Sequence, residues 1–343
     1  MKRKYILKLV PYISYGTESQ VQILLRSVLQ PPKTKSPILK RGFLQLFIKQ
    51  VPGVEVEVLF DDEESGQILH TDNNGYINKK LQVHLAPGLH TVHYRITKDY
   101  ELHARNPKHA VAVVKKPSED VFWNSKVLVI SSDQTVGVIS DIDDTIMTSQ
   151  VPFRFIAAFK LLLENPHKRK VVKGMNELFK TIYELWPDAF TIYLSATPWN
   201  IYDISRHFIS KLNFPFGPLI LQDLGPSENK IFESSKKHKQ GYLNKLLADF
   251  PKTKWILIGD NGQHDPQIYS AIAANSPDRI LAILIRQLTP FNAVCGNDNI
   301  SVPQLAAPNG FVLAKQLKEI FEERVHNLET HQLVYSHSPE LDR

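Results

Sequence analysis

The apolar run Val138-Ile139-Ser140 ends in Asp141-Ile142-Asp143-Asp144-Thr145-Ile146. In an extended strand, residues i and i+2 face the same way. Asp141 and Asp143 should therefore leave the end of a buried strand side by side, where two like charges out of water are costly without a cation. Such a pair suits magnesium binding and phosphoryl transfer. Open α/β sheets put their ligands at this edge, beyond the carboxyl ends of the strands.

Three further segments carry polar groups at comparable places. Tyr193-Leu194-Ser195-Ala196-Thr197-Pro198-Trp199 reads as a strand ending in a hydroxyl. Lys239 heads an apolar-striped helix carrying Tyr242, Leu243, Leu246 and Leu247. Ile256-Leu257-Ile258-Gly259-Asp260 is a buried strand ending in an acid, with a second acid, Asp265, five positions on. In a doubly wound sheet all four converge on one edge. Their chemistry is complementary. A carboxylate nucleophile forms an aspartyl-phosphate, and a second carboxylate protonates the leaving alkoxide and then activates water. Magnesium takes oxygen ligands and neutralises charge between carboxylates and phosphate. A hydroxyl and an ammonium hold the remaining phosphoryl oxygens.

Taken singly, each residue has a plainer meaning. Asp144 reads as a helix-start or loop acid and Thr145 as a cap. Ser195 alone reads as a cap or turn residue, Lys239 as a solvated lysine, and His264 as a loop hydrogen-bonding group. The joint order of the set, each member terminating an element, carries the chemical reading.

The elements that must position these groups follow from periodicity. Residues 1 to about 125 read as β: Val54, Val56 and Val58 alternate with Glu55 and Glu57, and Leu89 to Arg95 alternate again after the Pro87-Gly88 turn. Asp72-Asn73-Asn74-Gly75 is turn chemistry. Several short strands punctuated by turns suggest a small β-sandwich. Its histidines, His103 and His109 in a polar loop among them, show no recurring ligand spacing. From about residue 126 the rhythm becomes strand and helix in alternation, which implies a parallel sheet with helices on both faces. Strands are expected over 126–131, 136–140, 190–194, 219–221, 255–258 and 279–285, with helices over 174–186, 201–212, 239–250, 266–275 and 314–324. The tail from 327 to 343 reads as polar.

Composition sets limits. At 343 residues, two domains are the default expectation. A single cysteine, Cys295, excludes an intramolecular disulfide framework. The Met1-Lys2-Arg3-Lys4 start is basic, but the apolar run after it is too short for a signal sequence. No apolar stretch approaches the ~20 residues needed to span a bilayer, so the expected location is cytoplasmic, with peripheral membrane contact left open. A net charge of +6 favours acidic partners only weakly. A nucleic-acid role would need aromatic and basic residues interleaved along a groove, a pattern that does not stand out.

The order D-x-D-x-T, strand-terminal serine, lysine, then G-D-x4-D resembles the haloacid dehalogenase-like phosphohydrolase superfamily. More narrowly, Gly137 to Thr145, Leu194-Ser195-Ala196-Thr197-Pro198 and Ile258 to Pro266 are similar to the actin patch-associated phosphatidate phosphatase family, including its bacterial members. The resemblance covers roughly residues 126–290, and the β-rich first part also fits bacterial members. It implies an α/β haloacid dehalogenase-like domain over 126–326, a Rossmann-like parallel sheet with a small flap or cap, behind an N-terminal β-sandwich-like domain over 1–125.

Carried over position by position, the resemblance implies that Asp141 is the nucleophile and a magnesium ligand. Asp143 is implied as the acid/base, touching the metal through its backbone carbonyl. Ser195 and the adjoining Ala196 would bind the phosphoryl group, Lys239 would neutralise nucleophile and phosphate, and Asp260 would complete the metal shell. Thr145 and Asp265 would support from behind, Asp265 by orienting the metal's waters. Lys230 and Lys236 compete for the lysine role, but Lys239 follows His238 in the family manner. Asn261 is a departure, standing where many relatives carry a small hydroxyl residue.

Between the first motif and Gly174 lie the aromatic and aliphatic residues 151–163 and the basic His167-Lys168-Arg169-Lys170. This interval holds a cap helix packed on its own protein or a helix lying on an anionic membrane. The implied function is a magnesium-dependent phosphomonoesterase that converts phosphatidate to diacylglycerol and phosphate. One alternative is the same chemistry on a soluble or protein-borne phosphate. Another, from a different class, is a non-catalytic lipid- or protein-binding module, against which the presence of Asp143 argues.

Overall fold

Alternating burial builds the N-terminal part. Within Glu55–Phe60, Val56, Val58 and Phe60 are buried while Glu55, Glu57 and Leu59 are half-buried, the period-two pattern of a strand with one face inside. The structure, a computed structural model, describes residues 6–30, 49–61, 66–102, 112–114, 116–118, 121–148, 170–222, 231–262, 264–288 and 301–335.

The first unit contains β1 (Ile6–Pro11), β2 (Ser14–Gly16), β3 (Gln20–Gln30), β4 (Lys49–Gln50), β5 (Glu55–Phe60), β6 (Gln67–His70), β7 (Tyr76–Gln82) and β8 (Gly88–Ile96). A separate antiparallel pair joins β9 (Tyr100–Leu102) to β10 (Ala112–Val114). With β11 (Trp123–Val129), the strands run β1-β3-β2-β11-β8-β5-β6, and β4 and β7 also pair with β3. The strand expected over 126–131 thus lies earlier, at Trp123–Val129, and belongs to this first sheet rather than the second. It pairs antiparallel with β8 and parallel with β2. Local periodicity identifies a strand but not its partners.

The second unit begins at β12 (Val136–Ser140). It continues through the short antiparallel pair β13 (Met147–Thr148) and β14 (Lys170–Val171), then α1 (Met175–Leu185), β15 (Phe190–Pro198), α2 (Tyr202–Lys211) and β16 (Leu219–Gln222). After these come α3 (Ile231–Asp249), β17 (Lys254–Asp260), α4 (Asp265–Asn275), β18 (Ile280–Arg286), β19 (Gln304–Ala307) and α5 (Gly310–Tyr335). The sheet order is β16-β15-β12-β17-β18-β19, with every neighbouring pair parallel. Trp255 to Asp260 are buried without alternation, as a strand covered on both faces must be.

Chain order in this sheet reverses once. The path steps from β12 to β15 to β16 in one direction, then returns past β12 to β17, β18 and β19 in the other. Right-handed crossovers run in opposite directions place α1 and α2 on one face and α3 and α4 on the other. The reversal falls between β12 and β17, the position at which open α/β sheets form their ligand crevice.

Two helices run longer than their apolar spacing suggests. α3 starts at Ile231, so Lys239 lies within it rather than at its head. After Ile231 and Phe232 the next residues up to Lys239 are polar, and they carry no apolar stripe to mark a helix. α5 extends to Tyr335, past the expected polar tail boundary. Its Glu, Gln and Leu residues favour helix and no proline interrupts them.

The two units share a core. Tyr12, Tyr15 and Leu24 of the first are buried in one cluster with Trp199, Tyr202 and Phe250 of the second. The Tyr12 ring lies 4.3 Å from Trp199 and 4.6 Å from Tyr202 between centroids. The Ile13 N–H donates to the Tyr202 hydroxyl at 2.8 Å. Helix α3 is tied to the first unit by Asn78 donating to the Tyr242 hydroxyl at 2.6 Å, by Lys80 pairing with Asp249 and by Lys245 donating to Gln22.

Gly137, in the middle of β12, gives way to large neighbours. A Cβ there would stand 2.5 Å from Trp255 Cζ3 and 3.0 Å from Phe190 Cζ. Gly137→Ala should therefore lower stability by about 1–3 kcal/mol through overpacking, outweighing the ~0.4–1 kcal/mol that alanine contributes where there is room. Urea midpoints of the two proteins check this; an unchanged or higher midpoint for the variant contradicts the packing.

Candidate active site

β12 stops at Ser140, and a tight turn replaces it. The Asp141 N–H still donates to the Ile258 carbonyl at 2.9 Å, extending the ladder with β17 by one residue. Ile146 and Met147 then both donate back to the Ile142 carbonyl, at 3.1 and 3.2 Å, and Asp144 donates to the Met147 carbonyl at 2.7 Å. Asp144 sits at φ 56°, a left-handed conformation that Asp tolerates better than most residues. The Arg286 guanidinium, at the end of β18, donates to the Asp144 carbonyl and holds this turn. This turn, rather than strand alternation, therefore sets the relation of Asp141 to Asp143. The turn sends each to a different neighbour.

Asp141 faces the β17 side. Lys239 Nζ lies 3.4 Å from its Oδ2 and 2.5 Å from Asp265 Oδ1. Carboxylate oxygens of Asp141, Asp260 and Asp265 can all be found within 4.8 Å of one another, and all three residues are buried. Thr145, a cap when taken singly and a supporting residue in the resemblance, is buried between two of these acids, with Oγ1 3.2 Å from Asp260 Oδ2 and 3.5 Å from Asp141 Oδ2. Asp260 Oδ1 accepts the Gly262 N–H at 2.6 Å. Gly259 makes the crowding possible, since a Cβ there would lie 2.4 Å from Asp265 Oδ2.

Burial dominates the electrostatics of this group. It pushes the Asp141 carboxyl well above the ordinary range; Lys239 opposes that, while Asp265, Asp260 and Asp143 add to it. Asp260 is raised to about 7, first by burial and then by Asp265, against the pull of Lys239 and the Gly262 N–H. For Lys239 burial works the other way, but Asp141 and Asp265 outweigh it and hold the ammonium above the usual lysine range. Three buried acids around one ammonium leave excess negative charge, and their hard oxygen donors suit a magnesium ion.

Asp143 faces the β15 side. Its Oδ2 accepts from Ser195 Oγ at 3.1 Å and from Thr197 Oγ1. The Thr197 N–H in turn donates to Ser195 Oγ at 3.0 Å. Ala196, between them, is half-buried. Thr197 and Arg286 received no role from the sequence. Thr197 was detectable in principle, because it lies two residues beyond Ser195 on an extended segment and shares its side. Arg286 ends a buried strand as the acids do, which marks it in the same way.

The competing lysines separate cleanly. Lys236 is exposed, Lys239 is 5% exposed, and Lys230 lies outside the described residues. Asn261 is buried and its Oδ1 accepts the Leu288 N–H at 2.7 Å, so the amide ties the acidic loop to the segment after β18. His264 is exposed. The cap interval, residues 149–169, lies outside the described residues, as do His103 and His109. Among the described residues no helix is long and apolar enough to cross a membrane.

Comparison with known proteins matches about half of the chain. Over 169 residues, 49% of the chain, it is 34% identical to phosphatidate phosphatase APP1 of Saccharomyces cerevisiae. Over 154 residues it is 29% identical to an uncharacterized protein of Schizosaccharomyces pombe. These matches span only 27% and 25% of the two yeast proteins. Among solved structures, a carbohydrate esterase aligns over 94% of this chain and 96% of its own at 9% identity and a TM-score of 0.26, a likeness too slight to bear on fold or function. Residues 136–287, which hold every site residue discussed above, match the family model described as phosphatidate phosphatase APP1, catalytic domain.

Proposed function

We propose that this chain is a magnesium-dependent phosphomonoesterase of haloacid dehalogenase-like fold. It works through an aspartyl-phosphate on Asp141 and takes phosphatidate, releasing diacylglycerol and phosphate. One observation carries the reaction class. Asp141, Lys239 and Asp260, distant in sequence, meet at the reversal point of a parallel sheet, with Lys239 Nζ 3.4 Å from Asp141 Oδ2. The lipid substrate is supported by the family model matched over 136–287 and by the yeast relative's name.

In this reading Asp141 Oδ attacks phosphorus as the bond to the leaving oxygen breaks, and Asp143 gives that oxygen its proton. Asp143 then takes a proton from water as the water displaces the phosphoryl group from Asp141. Lys239 neutralises the nucleophile and a phosphoryl oxygen, and Ser195 with the Ala196 backbone holds the others. Asp141, Asp260 and the Asp143 carbonyl would hold magnesium, with Asp265 orienting the ion's waters. The ion supplies positive charge against the phosphoryl oxygens.

The deciding experiment is a phosphate-release screen with magnesium across phosphatidate, lysophosphatidate and soluble monoesters. Preference for phosphatidate is the expected result, and preference for a soluble ester moves the substrate while keeping the chemistry. Asp141→Asn should cut turnover by roughly 10³-fold or more, with a melting temperature at or above wild type because a crowded buried charge is gone. Retained turnover refutes the nucleophile.

Metal and protons should compete at Asp260. Its folded pKa of about 7 lies above the ordinary value of 3.8, so unfolding releases a proton between these limits. Without divalent metal, this group makes stability fall as pH rises through that window. Asp260→Asn should remove that part of the slope. Magnesium should raise the wild-type melting temperature more at pH 8 than at pH 5; equal shifts at the two pH values contradict binding to these acids.

A further inference from the structure

The two hydroxyls on Asp143 have different obligations. Ser195 Oγ accepts the Thr197 N–H at 3.0 Å and donates its single proton to Asp143 Oδ2 at 3.1 Å. A hydroxyl has one hydrogen to give. Ser195 can therefore hold a phosphoryl oxygen only by releasing Asp143. Thr197 Oγ1 donates to the same Oδ2 and has no such second duty in the reaction. The other oxygen, Asp143 Oδ1, is buried and accepts no hydrogen bond in the structure.

We propose that Thr197 is the positioning residue of the acid/base Asp143, keeping Oδ2 fixed when Ser195 turns to the phosphoryl group. The proposal rests on the reading of Asp143 as the acid/base. Oδ2 takes two hydroxyl donors in the free protein, so one remains when the other leaves. As Asp141 bonds to phosphorus and the ester P–O bond breaks, the Asp143 carboxyl transfers a proton to the departing alkoxide, leaving an alcohol and the Asp143 carboxylate. In the second half, that carboxylate takes a proton from the attacking water as the Asp141–phosphorus bond breaks and phosphate leaves.

Thr197 sits two residues beyond Ser195 on the same extended segment and is 8% exposed. Loss of its hydroxyl should leave Asp143 present but free to rotate once Ser195 lets go. A misplaced acid hurts most where the leaving group needs a proton. An alkyl phosphate departs as a strongly basic alkoxide, whereas 4-nitrophenyl phosphate departs as a stable phenolate.

The test compares kcat/KM, which reports phosphorylation of Asp141, for an alkyl monoester and for 4-nitrophenyl phosphate. Thr197→Val should lose roughly 10–100-fold on the alkyl ester, less than about threefold on the nitrophenyl ester, and Thr197→Ser should restore both. Equal losses on the two esters, or no loss, overturn the proposal. So does Thr197→Ser behaving like Thr197→Val. Should the valine variant fail to fold, Thr197→Ala is read by the same criterion, and a low alkyl-ester rate in a folded Thr197→Ser still overturns it. Asp143→Asn separates the two claims. It should show the same dependence on leaving group, more strongly, and equal losses there would remove the acid/base reading itself.

Discussion

An ammonium enclosed by carboxylates organises this site. Lys239 is almost fully buried, as are Asp141 and Asp265, and each would be costly there alone. Together they are tolerable, and the ammonium remains charged because the acids outweigh its burial. The arrangement constrains everything around it. β17 must bring Asp260 close, Gly259 must lack a side chain so that α4 can begin at Asp265, and α3 must present Lys239 at a fixed depth.

The last of these conditions involves the first unit. On α3, Tyr242, Lys245 and Asp249 fall on one face by helical spacing, and each binds the N-terminal sheet, through Asn78, Gln22 and Lys80. Lys239 lies on the same helix, one turn before Tyr242. The β-rich unit thus holds the helix that delivers the lysine, and its Tyr12 packs on Trp199, two residues beyond Thr197. Whatever else that unit does, it steadies both sides of the site from behind.

The turn after β12 divides the labour. It leaves Asp141 among the acids and lysine of the β17 side and hands Asp143 to the hydroxyls of the β15 side. The proposed nucleophile and the proposed acid/base, two residues apart, thereby have different surroundings, one ringed by charge and one by neutral donors. Arg286 and the left-handed Asp144 hold this turn.

Much of this was legible in the chain. Buried strands ending in acids or hydroxyls announced themselves through continuous apolar runs cut off by polar residues, and their order along the sequence matched a parallel sheet with one reversal. The family resemblance also singled out Lys239 over Lys236 before burial did. What the sequence could not supply was partnership. Only folding shows that Trp123–Val129 joins the first sheet, that Lys239 lies deep within its helix, and that Asp143 is claimed by Thr197 as well as Ser195. Strand pairing and turn geometry depend on contacts between residues far apart in the chain. Local periodicity reports which face is buried, never what it is buried against.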